Sequence, residues 1–179
     1  MSGTFLYFAY GSNMFARRLA ARTPSAVRIT TAFIDGRRLT FDKVSIDGSG
    51  KCDIEATGNS ADRVYGVVFS IATVEERALD EAEGVGYGYR EDEIPAVTIE
   101  GTLAAMAYIA TEKDPKQRPY DWYKAFVVQG AAENALPAAY IELIRAVPSQ
   151  PDFNISRRQR NKALLAGFLN EQAGTAGLQ

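Results

Sequence analysis

FLYFAYGSN, residues 5–13, sets the reading of the whole chain. Phe5 to Tyr10 place aromatic and apolar side chains on both alternating faces, the pattern of a strand buried on two sides. The run breaks into Gly11-Ser12-Asn13 and passes directly into MFARRLAARTP (14–24), a short helical stretch stopped before Pro24. Gly and small polar residues at such a junction let several backbone N–H groups converge on one cavity, which suits a carboxylate or a developing oxyanion. Ordinary turn chemistry also accounts for Gly-Ser-Asn, and the local sequence alone favours that plainer reading.

Outward from this junction, β character recurs around 25–35, 37–46, 52–57, 63–71, 88–99 and 102–110. RVYGVVFSI (63–71) is the strongest strand, Asp47-Gly48-Ser49-Gly50 marks a hairpin or loop, and Pro95 marks an edge or a bulge. Thr73-Val74-Glu75-Glu76 reads as a capping box, opening a helix that ends near Glu83 because Gly84 follows. Further helices are predicted at about 120–134, 137–146 and 156–171. Strands mostly early and helices mostly late predict an α+β fold, with a largely antiparallel, curled or barrel-like mixed β-sheet and flanking helices. Residues 1–150 read as a single domain, and 151–179 as a C-terminal helix and flexible tail extending it, EQAGTAGLQ (171–179) being poorly ordered.

Composition narrows the function. The 179 residues are 46% hydrophobic, enough for one core, and 20 basic against 22 acidic residues are interspersed, so no basic field draws nucleic acid or an anionic membrane. The run Arg157-Arg158-Gln159-Arg160-Asn161-Lys162 reads as a solvated helix face. There is no signal-peptide pattern and no long apolar run, and the single cysteine, Cys52, suits a reducing cytosol, so a cytoplasmic protein is expected. The chain has no histidine, which removes Ser-His-Asp and Cys-His machinery, imidazole bases and most zinc sites. A proton carrier in such a chain falls to a carboxylate, Lys, Tyr or Cys. Without histidine to ionise it, Cys52 reads as a packing or exposed thiol.

LDEAEGV (79–85) puts three carboxylates at a helix C-terminus, where the dipole disfavours their ionised forms. On a helical wheel Val74, Ala78, Leu79 and Ala82 form the apolar face, and Glu81 and Glu83 flank it on either side. Geometry leaves both open, and a solvated acidic helix end is the plainer alternative. Tyr87, Tyr89, Tyr108, Tyr120 and Tyr123 either pack a core or line a pocket.

Three separated signals, FAYGSNM (8–14), LDEAEGV with Tyr87-Gly88-Tyr89 (79–89) and Tyr123-Lys124 leading into GAAENALP (130–137), give the chain a resemblance to the γ-glutamylcyclotransferase family. Their order and rough spacing are the family's, over about residues 5–146. The resemblance implies that a γ-glutamyl substrate's own α-amine attacks its γ-carbonyl, releasing 5-oxoproline and an amine or amino acid. It assigns proton transfer to Glu83, and substrate binding to Tyr10, Gly11, Ser12, Asn13 and Tyr123. Tyr89, with Tyr87 as its rival, and Tyr108 are added on the same basis. It implies a small-molecule substrate, a homodimer, and no cofactor or metal. Arg90, Arg17 or Lys124 are candidates to meet a second substrate carboxylate. Removal of a γ-glutamyl protecting group, or non-catalytic binding in the same pocket, are the alternative readings.

Overall fold

The computed structural model describes residues 3–176, with side chains described through residue 167. In chain order the strands are β1 (Thr4–Ala9), β2 (Val27–Asp35), β3 (Arg37–Val44), β4 (Gly50–Ala56), β5 (Arg63–Ala72), β6 (Tyr89–Thr98) and β7 (Gly101–Ala110). The helices are α1 (Ala16–Ala20), α2 (Glu76–Glu83), α3 (Asp121–Glu133), α4 (Ala138–Ala146) and α5 (Ile155–Ala176). Five strands close into a barrel in the order β1-β5-β2-β6-β7. All neighbouring pairs are antiparallel except β1 and β7, which meet parallel at Tyr7 and Met106 and complete the closure. The expected α+β architecture with a curled, largely antiparallel sheet is the one observed. Closure also explains the two-faced β1, whose Tyr7, Phe8 and Ala9 are all buried in the continuous core.

β3 and β4 form a separate two-stranded arm. Its register runs Thr40↔Asp53 and then Lys43↔Lys51, so β3 carries one extra residue, a β-bulge that re-aims the side chains beyond it. The arm docks through Val44 N–H to the Glu112 carbonyl (3.0 Å), Asp114 N–H to the Asp42 carbonyl (2.8 Å) and Gly50 N–H to the Arg118 carbonyl (2.9 Å). The buried Asp53 fixes it further, accepting from Ala110 N–H at 2.8 Å and pairing with Lys113 at 2.6 Å.

Three local expectations are corrected. No side chain caps the start of α2, where Thr73–Glu75 form a 3-10 turn. Ser25 takes that place from the preceding loop, its hydroxyl accepting from Ala72 N–H (2.9 Å) and donating to Glu75 (2.6 Å). Val74 is 80% exposed, and the apolar face of α2 reduces to Leu79. Of the two readings of Pro95 the edge holds: it pairs in register with Ala104 without a bulge, and β6 pairs with β2 only at Val97, so the other side of Pro95 is an open edge. α5 runs on to Ala176, so 171–176 are helical, and 177–179 of the expected irregular tail lie outside the described residues. Among the described residues no helix is long and apolar enough to cross a membrane.

The chain after α4 is anchored by Asp152. Its buried carboxylate accepts from Trp122 Nε1 (2.8 Å), Arg157 Nε (2.6 Å) and Asn154 N–H (2.9 Å). Hydrogen bonds from Arg157 hold this carboxyl well below the usual carboxylate range. A depressed value contributes stability above the unfolded value of 3.8, which is lost as pH falls below it. Asp152→Asn is therefore expected to destabilise the protein by about 2–3 kcal/mol at pH 7, with the gap to wild type narrowing below about pH 4. Urea unfolding at both pH values measures this; a gap independent of pH would contradict it.

Candidate active site

β1 delivers Tyr10 to one end of the barrel, and the chain turns at Gly11 into a single 3-10 turn, Ser12–Met14. Ser12 and Asn13 are buried, and the amide N–H groups of Gly11, Ser12 and Asn13 meet no acceptor among the described residues. GAAENALP explains how this turn is held. A Cβ on Gly130 would lie 2.5 Å from the Phe15 nitrogen and 2.6 Å from the Met14 carbonyl carbon, so α3 approaches the loop backbone as only glycine permits. Asn134 Nδ2 then donates to the Met14 carbonyl (3.0 Å), and Glu133 accepts from Ala16 N–H (2.7 Å).

The residues singled out in the sequence converge. Tyr10 to Asn13 line one cavity with Glu83, Tyr89, Tyr108 and Tyr123. Tyr7 and Cys52, not singled out as site residues, also line it. Tyr87 is 88% exposed, which separates it from the buried Tyr89.

Glu83 closes α2, with Gly84 beyond it in the left-handed conformation (φ 75°). Its Oε1 accepts from Asn13 Nδ2 at 3.0 Å and is paired with Arg22. The same Arg22 Nη1 donates to Asn13 Oδ1 (2.9 Å), and Asn13 Nδ2 also donates to the Tyr7 hydroxyl (3.0 Å). Loop, helix end and guanidinium thus lock one another. Arg22 gave no signal in the sequence, since it follows a short helix with no motif around it; its charge opposes the negative end of α2 at this carboxylate. Glu81 is different: two-thirds exposed, it pairs with Arg77 on the helix surface.

The phenols serve as walls and neutral donors. Tyr89 donates to the Cys52 carbonyl (2.6 Å), Tyr108 to Asp80 (2.7 Å) and Tyr10 to the Tyr108 carbonyl, while Tyr123 accepts from Cys52 N–H (3.1 Å). Burial pushes all of them, and Tyr7, above the ordinary phenol value. Burial likewise pushes the Cys52 thiol up to about 12, leaving it protonated and unreactive. Among the described residues Glu83 is the one carboxylate lining the cavity, and no His, Cys, Asp or Glu cluster is arranged to hold a metal ion. None of the three basic candidates lines it. Lys124 donates to the carbonyls of Arg145 and Val147, Arg90 pairs with Asp92, and Arg17 lies against Gly167 of α5.

Comparison with known proteins gives this geometry its relatives. The AIG2-like family model matches residues 63–144. The chain is 36% identical over 153 residues to a γ-glutamylcyclotransferase of Mus musculus, covering 80% of this chain and 79% of that one. It is 34% identical over the same length to a γ-glutamylcyclotransferase of Homo sapiens, with the same coverage. A solved structure described as γ-glutamyl cyclotransferase superposes with a TM-score of 0.76 at 33% identity, over 84% of this chain and 91% of the other. With more than 30% identity across most of both chains and a shared fold, this chain belongs to the γ-glutamylcyclotransferase family.

Proposed function

We propose that this protein is a γ-glutamylcyclotransferase in which Glu83 moves the protons. One observation carries the reading: a single carboxylate, held by Asn13 of the turn, shares a cavity with the unpartnered amides of that turn. Glu83 takes a proton from the substrate α-ammonium. The freed amine attacks the γ-carbonyl carbon, forming the ring C–N bond and a tetrahedral oxyanion. Glu83 then delivers the proton to the departing nitrogen, the oxyanion re-forms the carbonyl as the original amide C–N bond breaks, the ring nitrogen passes its extra proton to the released nitrogen, and 5-oxoproline leaves with an amine or amino acid.

The magnitudes suit so sparse a site. Both reacting atoms belong to one molecule, and orienting them supplies roughly 7–11 kcal/mol of the barrier. Each amide aimed at the oxyanion contributes about 2.7–4 kcal/mol. Proton transfer supplies a further ~10²–10⁴-fold. The neutral tyrosines shape the pocket and offer hydrogen bonds without competing as bases. Incubation with γ-glutamyl-L-alanine and a panel of other γ-glutamyl conjugates is expected to release stoichiometric 5-oxoproline. Failure to convert any member of the panel would overturn the proposal.

A further inference from the structure

A second cavity, of about 80 Å³, adjoins the first and shares Ser12, Glu83, Tyr89 and Tyr123 with it. Four cations line it: Arg18, Arg22, Lys43 and Lys51. Arg22 is committed to Glu83, and Lys51 to Asp47 at 2.7 Å. Arg18 gives its Nε to the Ser12 hydroxyl (3.0 Å) and stacks over Phe126 at 4.8 Å, which leaves its terminal nitrogens. Lys43 forms no ion pair among the described residues, the carboxylates of Glu83, Asp47 and Glu112 acting on it only from beyond contact distance. It is 7% exposed, and its ammonium lies 4.7 Å from the Tyr89 ring centroid.

The chain makes room for this lysine. A Cβ on Gly88 would sit 2.7 Å from Lys43 Cε and 2.8 Å from its Nζ, so the side chain crosses a position only glycine leaves open. The bulge in β3 sets the register from which Lys43 projects. A buried ammonium with no carboxylate in contact is unfavourable, and burial pushes Lys43 below its ordinary value, with the charges of Glu83, Asp47 and Glu112 acting in the opposite sense. An anionic ligand beside it relieves that penalty.

We propose that Lys43, supported by Arg18, binds a carboxylate on the departing half of the substrate and so determines which conjugates are accepted. This rests on the cyclotransferase reading. If Glu83 protonates the departing nitrogen, whatever that nitrogen carries extends past Glu83 into the adjoining cavity, where Lys43 waits. An α-amino acid presents a carboxylate two bonds from its nitrogen; a simple amine presents nothing to pair with the ammonium.

The test compares γ-glutamyl-L-alanine with γ-glutamylethylamide, which differ only by that carboxylate. Wild type is expected to favour the first in kcat/KM by roughly 10- to 100-fold, the size of a hydrogen-bonded charge contact. Lys43→Met is expected to collapse this ratio toward one, chiefly by raising KM for γ-glutamyl-L-alanine. A wild-type ratio near one overturns the proposal whether or not the variant folds, and so does a large ratio that the substitution does not change. If neither compound yields 5-oxoproline, the cyclotransferase reading itself fails, and the missing product distinguishes that outcome from lost discrimination.

Discussion

Glu83→Gln is expected to lower kcat for 5-oxoproline release by about 10²–10⁴-fold, the usual contribution of a positioned acid and base. Glutamine keeps the shape of the side chain and an oxygen that accepts from Asn13 and Arg22, so the fold and the turn at residues 11–14 are retained. What disappears is a group able to hold the substrate's proton between its two sites of attachment. Neither the phenols nor the Cys52 thiol substitutes, because burial keeps all of them protonated. Glu81→Gln is the matched control and is expected to behave like wild type, since that carboxylate faces solvent and pairs only with Arg77. Single-turnover measurements with γ-glutamyl-L-alanine, alongside thermal melts of both variants, decide the matter. Wild-type rates in Glu83→Gln would remove the proposed mechanism.

Gly130→Ala is expected to be nearly as damaging, although residue 130 is not among those lining the cavity. The new methyl would stand 2.5 Å from the Phe15 nitrogen and 2.6 Å from the Met14 carbonyl carbon, backbone atoms that cannot rotate aside. Either α3 or the turn must move. Overpacking of this kind destabilises by roughly 1–3 kcal/mol, partly offset by the ~1 kcal/mol that alanine gains over glycine in a helix. The effect on catalysis is larger than the effect on stability, because displacement of positioned groups by about 1 Å lowers rates by ~10²-fold. A variant with a slightly reduced Tm and kcat/KM lowered by about two orders of magnitude is the expected outcome. Full activity would mean that the contact between Gly130 and the loop does not set the position of the amides.

Much of the fold was legible because its strongest signals are local. Aromatics on both faces of residues 5–10 demanded burial on two sides, and a closed barrel with helices outside supplies it. Gly84 stops α2 where expected. The parallel contact of β1 with β7 was not legible, because it joins strands distant in sequence and no local pattern encodes it. Thr73 failed as a cap for a similar reason: Ser25, remote in sequence, engages Glu75 and the Ala72 amide in its place. At the cavity, the motifs pointed to the turn and to Glu83, whereas Arg22 and Tyr7 carried no signal. A tyrosine inside an aromatic strand reads as core, and only the Asn13 amide at its hydroxyl distinguishes it. Arg17, Arg90 and Lys124 do not line the cavity, and charge in a sequence does not reveal its direction. Arg90 and Lys124 turn to surface and backbone partners, while Lys43 turns inward beyond the bulge.

The arm formed by β3 and β4 divides the labour of the pocket. The amide turn and Glu83 belong to the barrel end and its helices, whereas Lys43, Ser45 and Lys51 reach the adjoining cavity from a hairpin that shares no ladder with the barrel. On the proposed reading, a hairpin altered in charge, length or bulge position would change which conjugates are consumed while the ring-closing chemistry stays as it was.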